Sequence, residues 1–236
     1  RHMNISRKEN MKKICGLLYK YRHAWLLSYA FIYLPWFMFL ERTVTRDYHI
    51  MHASLDDLIP FNEYFIVPYF LWFIYVAGTL IFFLFRSKED YYKMCAFLFS
   101  GMTLSLIICT FFHNGTDFRP VIDPNKNIFS AAVAALYKTD TNTNVFPSIH
   151  VYNSVGTHIA ISRSQFLSKH KIIKLCSFLL TASICLATMF LKQHSIIDVC
   201  GAFLMAYVIH YLVYGYAADT EDKKIIITTR PTGGLH

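Results

Sequence analysis

Charged residues are scarce in this chain. Asp, Glu, Lys and Arg make up 16% of 236 residues, with 15 acidic against 23 basic. Soluble domains carry about a quarter charged residues, so the deficit argues against a soluble globule and for an integral membrane protein. Metal-binding patterns are also missing: there is no HExxH, no CxxC and no Asp-rich helix motif. The six cysteines (Cys15, Cys95, Cys109, Cys176, Cys185, Cys200) are scattered through apolar stretches. They read as small buried hydrophobes, not as disulfide pairs or metal ligands. No basic segment is long or interleaved with aromatics, which argues against nucleic acid as a partner. There is no internal repeat, no low-complexity tract and no separate soluble domain.

What the chain does have is apolar length. Hydrophobic residues make up 55% of the sequence and aromatics 17%. A membrane span needs roughly 20 mostly apolar residues. Six candidates follow, at about 24–41, 62–86, 92–112, 148–162, 172–191 and 195–216. The fourth is short and carries His150, Asn153 and His158, so it belongs inside a bundle where polar groups find protein partners. The first is preceded by Lys12, Lys13, Lys20 and Arg22, but Glu41-Arg42 follows and no small-residue cleavage site is evident. It reads as a retained helix, not a signal peptide. Arg1-His2-Met3 reads as a tag remnant before a native start. Within the connection 113–147, Ile128, Phe129, Ala132, Val133, Leu136 and Tyr137 have helical apolar spacing, which predicts an interfacial helix over 127–138. The expected fold is therefore all-α and integral to the membrane. It is a single domain over 1–236, a six-transmembrane-helix bundle with an interfacial helix in the outer loop between helices 3 and 4. Residues 217–236 are expected to form a flexible cytoplasmic tail.

Charge orients this bundle. With six spans both termini share a side, and the segments on that side hold 17 of the 23 Lys and Arg. The opposite loops hold Arg42, Arg46, Arg119, Lys126, Lys138 and Lys192. The positive-inside rule then puts the termini in the cytoplasm of a multi-pass plasma-membrane protein. The loop 113–147 and the turn at 192–194 face the exterior. The formal net charge of +8 is accounted for by anionic lipid at the inner leaflet.

Two polar motifs open apolar runs on that outer face: Pro147-Ser148-Ile149-His150 and His194-Ser195-Ile196-Ile197-Asp198. Ionisable groups in such places are costly and point to function. His194 and Asp198 are four residues apart and share a helix face. The carboxylate can hold one ring nitrogen and leave the other free as a nucleophile. Their helix N-terminus favours an anion. Pro147 suits a first helical turn, Ser148 can hold phosphate oxygens, and His150 is placed to protonate a departing alkoxide and later to activate water. Arg119, followed by Pro120, offers a bidentate cation to the equatorial oxygens of a transition state. The chemistry that fits is phosphoryl transfer without metal or other cofactor.

At these residues the chain resembles the type-2 phosphatidic acid phosphatase superfamily of membrane lipid phosphatases and phosphotransferases. That family's signature reads Lys-x6-Arg-Pro, Pro-Ser-Gly-His and Ser-Arg-x5-His-x3-Asp. Here it falls on Phe112…Arg119-Pro120, Pro147-Ser148-Ile149-His150 and Ala187-Thr188…His194…Asp198. The resemblance implies a six-helix bundle with His194 as nucleophile, Asp198 as its partner and His150 as acid and base. The signature's lysine is Phe112 and its arginine is Thr188, so two phosphate-binding cations are absent from their usual places. Such reduced signatures are similar to the branch that includes inositol-phosphorylceramide and sphingomyelin synthases. Lys192, two residues before His194, is the favoured replacement cation, with snorkelling at a helix end as its other reading. His113 and Asn114 have a weaker claim. His158 is expected to make a structural hydrogen bond, and Asp56 and Asp57 to position a loop without chemistry.

The function implied is hydrolysis of a lipid phosphate or diphosphate at the outer leaflet through a phosphohistidine. Phosphatidic acid, phosphatidylglycerol phosphate and polyprenyl diphosphates are suitable substrates and membrane lipids the partners. One alternative is a phosphotransferase that moves a phospho-headgroup to a lipid or glycan hydroxyl. Another is a non-catalytic scaffold or transporter, against which the presence of His150, His194 and Asp198 together argues.

Overall fold

The computed structural model describes residues 19–215, together with 11, 12 and 16. Expectations for the remnant at 1–3, for Cys15 and for the tail at 217–236 lie outside the described residues. Among the described residues the main helices are, in order, α1 (Arg22–Thr43), α2 (Ser54–Leu58), α3 (Ile66–Arg86), α4 (Lys88–Phe111), α5 (Ile128–Thr139), α6 (Ile149–Arg163), α7 (Lys171–Phe190) and α8 (Ile196–His210). The first eight residues of α1, Arg22–Tyr29, wind as a tighter 3-10 helix. A single residue, Ser87, ends α3 and caps α4, its side chain accepting from the Asp90 N–H at 3.2 Å. The protein is an all-α membrane bundle.

Five helices among the described residues are long and apolar enough to cross a membrane: Arg22–Thr43, Glu63–Arg86, Lys88–Phe111, Lys171–Phe190 and Ile196–Gly215. The expected count of six rests on a further helix, α6, which is not among these five by length. The fourth candidate forms α6, but its 15 residues extend only about 22 Å at 1.5 Å per residue, short of a ~30 Å hydrocarbon core. Its composition explains its position. α6 packs against α3, α4, α7 and α8, and several of its polar residues are satisfied there. The Tyr152 hydroxyl donates to the Phe97 carbonyl at 2.6 Å, and the Thr157 hydroxyl to the Asn153 carbonyl at 2.7 Å. His158 Nδ1 lies 2.9 Å from the Ser177 hydroxyl, which also meets the Tyr75 hydroxyl at 2.6 Å. On a lipid-facing helix the Tyr152 hydroxyl and the His158 ring would lose these partners, at a cost of several kcal/mol each.

Close approach of α4 and α6 depends on two glycines. A Cβ at Gly101 would fall 2.0 Å from the Tyr152 ring, and one at Gly156 would fall 2.4 Å from the Phe97 ring. Phe97 and Tyr152 themselves stack at 4.8 Å and 13°, so neither ring has space to retreat.

The connections at one end of the bundle are tied to one another. Strands β1 (His49–Ile50) and β2 (Asn114–Gly115) pair in parallel, and the buried Asn114 side chain accepts from the Phe146 N–H at 2.7 Å. α5 lies one residue from its expected position, capped by Asn127, which accepts from the Ser130 N–H at 2.8 Å. The Tyr137 hydroxyl of α5 donates to the Leu191 carbonyl at 2.6 Å. Loops distant in sequence thereby converge around the start of α6 and the turn between α7 and α8.

Gly101→Ala is expected to lower stability by about 1–3 kcal/mol through overpacking, read as a fall in thermal unfolding midpoint in detergent. An unchanged midpoint would show that the α4–α6 contact is looser than described.

Candidate active site

The turn from α7 to α8 carries His194, and its shape follows from Thr188 and Lys192. The Thr188 carbonyl accepts the N–H groups of both Gln193 (2.9 Å) and His194 (3.1 Å). Lys192 takes a left-handed backbone, φ 54°, which side-chain-bearing residues adopt rarely. Its ammonium holds that conformation by donating to the carbonyls of Asp56 at 2.6 Å and Ile59 at 2.5 Å.

The next residues start α8. Ser195 caps it, and the Ser195 N–H donates to Asp198 Oδ2 at 2.9 Å, a reciprocal cap of the Ser-x-x-acid kind. The same oxygen lies 3.4 Å from His194 Nδ1. That is longer than an ordinary N–H···O bond, but this ring nitrogen has no other hydrogen-bond partner. Asp198 is 0% exposed and His194 8%. The Asp198 carbonyl also accepts the Ser148 N–H at 3.2 Å, which joins the starts of α6 and α8. The His150 ring sits 5.7 Å from that of His194, centroid to centroid. Tyr69 and Trp72 of α3 flank it at 4.6 Å each.

Both histidines line a cavity of about 360 Å3, whose other polar walls include Glu41, Arg119, Asp140 and Gln193. The Arg119 guanidinium donates to the carbonyls of Asp140 and Thr141 at 2.7 Å each and to Gln193 Oε1. It lies 4.8 Å over the Tyr137 ring. Burial pulls its pKa below the ordinary arginine value, opposed by the neighbouring Asp140. Two donors in this cluster are buried without a partner, Arg119 Nε and Gln193 Nε2.

Of the residues singled out from the sequence, the structure gathers His194, His150 and Arg119 on one cavity, with Asp198 buried behind His194. The other three lie elsewhere. Lys192 does not line the cavity, because its left-handed backbone and two carbonyl acceptors direct its ammonium to the α2 loop. Ser148 is fully buried, and its hydroxyl is taken up as the N-cap of α6, accepting from the Val151 N–H at 3.4 Å. His113 is exposed beside β2, where its carbonyl accepts from the His49 N–H at 2.9 Å. Among the described residues, no group of three His, Cys, Asp or Glu side chains comes together as a metal ion would need.

Sequence reasoning missed Glu41, Tyr69, Trp72, Asp140 and Gln193 as cavity walls, and it undervalued Asp56. The Asp56 carboxylate is buried against the start of α8. Oδ2 accepts the Ser195 hydroxyl at 2.5 Å and the Ala53 N–H at 2.8 Å, and Oδ1 accepts the Ile196 N–H at 2.9 Å. An anion there also meets the positive end of the helix dipole. The available signal was a carboxylate in an apolar stretch just before a span.

Asp56→Ala should cost roughly 3 kcal/mol, since it leaves two donors of the α8 start unpaired, and should lower turnover by loosening His194. Asp56→Asn, which keeps one acceptor oxygen, should lose less. Unfolding midpoints and kcat measured side by side check this, and a fully stable alanine variant would contradict it.

No curated relative and no solved structure matches the chain. The family model described as the PAP2 superfamily matches residues 90–221, more than half of the chain, from the first turn of α4 through α8. On that match the chain belongs to the PAP2 superfamily, whose members are generally phosphatases and phosphotransferases acting on phosphate esters.

Proposed function

We propose that the protein is a membrane lipid phosphatase in which His194 attacks a phosphate or diphosphate ester presented from the outer leaflet. Nε2 of His194 forms a bond to phosphorus while the bond from phosphorus to the leaving oxygen breaks. The leaving oxygen keeps the electron pair and takes a proton from His150. In the second half-reaction water attacks the phosphohistidine, gives its proton to His150 and releases His194. Asp198 holds Nδ1 and offsets the charge of the ring while phosphorus is attached. Arg119 and the Gln193 amide are the donors available to the non-bridging oxygens. The site residues supply nucleophile, acid and donors from side chains alone, so no cofactor is assigned.

The observation that carries this reading is the pairing of the two imidazoles 5.7 Å apart on one cavity, with a buried carboxylate behind the nucleophile's far nitrogen. An outer-leaflet location rests on the 17-to-6 partition of Lys and Arg. A transferase would share the first half-reaction and replace water with a lipid or glycan hydroxyl.

His194→Ala is expected to lower turnover by at least about a thousandfold while leaving the protein folded in detergent. Appreciable activity in that variant would end the nucleophile assignment. His150→Ala should slow substrates with poor leaving groups by roughly 100-fold or more and activated aryl esters much less. An equal loss across leaving groups would show that His150 is not the acid. Phosphate release without and with lipid alcohols separates hydrolysis from transfer, because rapid release without an acceptor removes the transferase alternative.

A further inference from the structure

Resting on that reading of His150 as the acid, we propose that Tyr69 is the positioning residue for its ring and is held in turn by Asp140. The two histidines of the cavity are fixed in different ways. His194 has the Asp198 carboxylate at Nδ1. His150 makes its hydrogen bond at the carbonyl, which accepts the Ser154 hydroxyl at 2.7 Å. Among the described residues no hydrogen-bond partner reaches its ring, whose aromatic neighbours are Tyr69 and Trp72 at 4.6 Å each and His194 at 5.7 Å. The contrast suits two tasks. A nucleophile needs one ring nitrogen held so that the other is free to attack. An acid that gives a proton in one half-reaction and takes one in the next needs a nitrogen open to the leaving oxygen and then to water. Its plane must therefore be set by something other than a hydrogen bond, and ring faces do that.

Of the two α3 rings, Tyr69 is the one anchored at its far end. It is 0% exposed, and its hydroxyl donates to Asp140 Oδ2 at 2.7 Å, the length expected of a hydroxyl on a carboxylate. The same side chain belongs to a buried cluster with Ile66 of α3, Val133 and Leu136 of α5, and Ala187 and Leu191 at the end of α7. Three helices thus grip the ring that meets His150. Trp72 lies three residues on and shares that face of α3, but it is half-buried and its Nε1 has no partner. Packing alone holds it. Because the Tyr69 hydroxyl is taken by Asp140, Tyr69 acts through His150 and not on the ester.

Asp140 extends the arrangement to the cation. It ends α5, where its N–H donates to the Leu136 carbonyl at 2.8 Å. Its carbonyl accepts Arg119 Nη1 at 2.7 Å while its carboxylate accepts Tyr69. One residue therefore sets both the guanidinium available to the phosphoryl oxygens and, through Tyr69, the acid for the leaving oxygen. Without the Tyr69 hydroxyl the His150 ring keeps its neighbours but gains freedom to tilt. A misplacement of about 1 Å in a reacting group costs about 100-fold, and a tilt within the same packing costs less, about tenfold. The loss falls on proton transfer to the leaving group, because attack by His194 does not involve Tyr69.

The test uses the full chain in detergent with two esters: a short-chain phosphatidic acid, whose leaving group is an alkoxide, and p-nitrophenyl phosphate, whose leaving group needs no acid. Tyr69→Phe keeps the ring and removes the hydroxyl. It should lower kcat for phosphatidic acid about tenfold while KM changes less than about twofold, and kcat for the aryl ester should change less than about twofold. In a His150→Ala background, where no acid is left to position, Tyr69→Phe should have no further effect on phosphatidic acid. A side chain that merely supports the fold would slow both esters alike and slow them again without His150. Either result would overturn the proposal, as would full turnover of phosphatidic acid by Tyr69→Phe. A second pair leaves Tyr69 intact. Asp140→Ala should lose about as much as Tyr69→Phe, and Asp140→Asn, which keeps an acceptor oxygen, should recover kcat to within about twofold. Equal losses in those two would also overturn it. If His150→Ala slows both esters equally, the acid assignment fails and the role of Tyr69 with it. If His150→Ala discriminates between them and Tyr69→Phe does not, the phosphatase reading stands and this proposal falls. No His194-dependent turnover of either ester would remove both.

Discussion

The carboxylate of Asp56 is the contact on which the geometry of the site depends. It binds the side chain and backbone of two consecutive residues at the start of α8, while the carbonyl of the same residue receives the Lys192 ammonium. A buried anion carries a desolvation penalty of several kcal/mol. Here three donors at 2.5–2.9 Å and a helix N-terminus offset it, since hydrogen bonds to charged groups contribute roughly 1.5–3 kcal/mol each. The turn between them has little freedom left. Lys192 is held in its left-handed conformation from the side-chain end, and Gln193 and His194 are held from the backbone end by the Thr188 carbonyl. The direction of the His194 ring is thus fixed by residues from the first quarter of the chain.

The same demand, that polar groups away from water find protein partners, accounts for the centre of the bundle. α6 carries His150, Asn153, Ser154, Thr157 and His158 within two and a half turns. A position ringed by α3, α4, α7 and α8 gives the His158 ring and the Tyr152 hydroxyl partners on neighbouring helices. Glycines 101 and 156 let α4 come close enough to supply the Phe97 carbonyl to Tyr152. Burial of α6 in turn fixes the height of His150 against His194, because the Ser148 N–H is bonded to the Asp198 carbonyl.

Hydropathy and local spacing made much of this legible. Five long apolar runs became helices of spanning length, the 3.6-residue pattern over 127–138 became α5, and the polar fourth segment became the buried helix. The closeness of His194 and Asp198 was foreseen from a shared helix face, but His194 lies in the turn before α8 and meets Asp198 across the N-cap Ser195. What stayed hidden is non-local. Nothing in the sequence around Glu41, Tyr69 or Trp72 states which helix face meets the His150 motif, since that depends on how α1 and α3 dock. Lys192 was misread for a related reason. Proximity in sequence to His194 suggested proximity in space, but one residue in a left-handed conformation turns the side chain to the opposite side. Of the two readings open for Ser148, phosphate ligand and capping serine, the local rule of a serine before a helix describes the hydroxyl's place.

Division of the chain follows from these contacts. The reacting groups of the proposed mechanism, His150, His194 and Asp198, lie in α6, in α8 and in the turn before it, inside the segment that matches the superfamily. The walls that would decide which ester fits come partly from α1 and α3, outside that segment: Tyr33, Phe37, Glu41, Tyr69, Trp72 and Phe73. A nucleophile needs fixed geometry, and the buried core around α6 provides it. Selectivity needs a surface that can differ without disturbing that core, and helices at the edge of the bundle provide that.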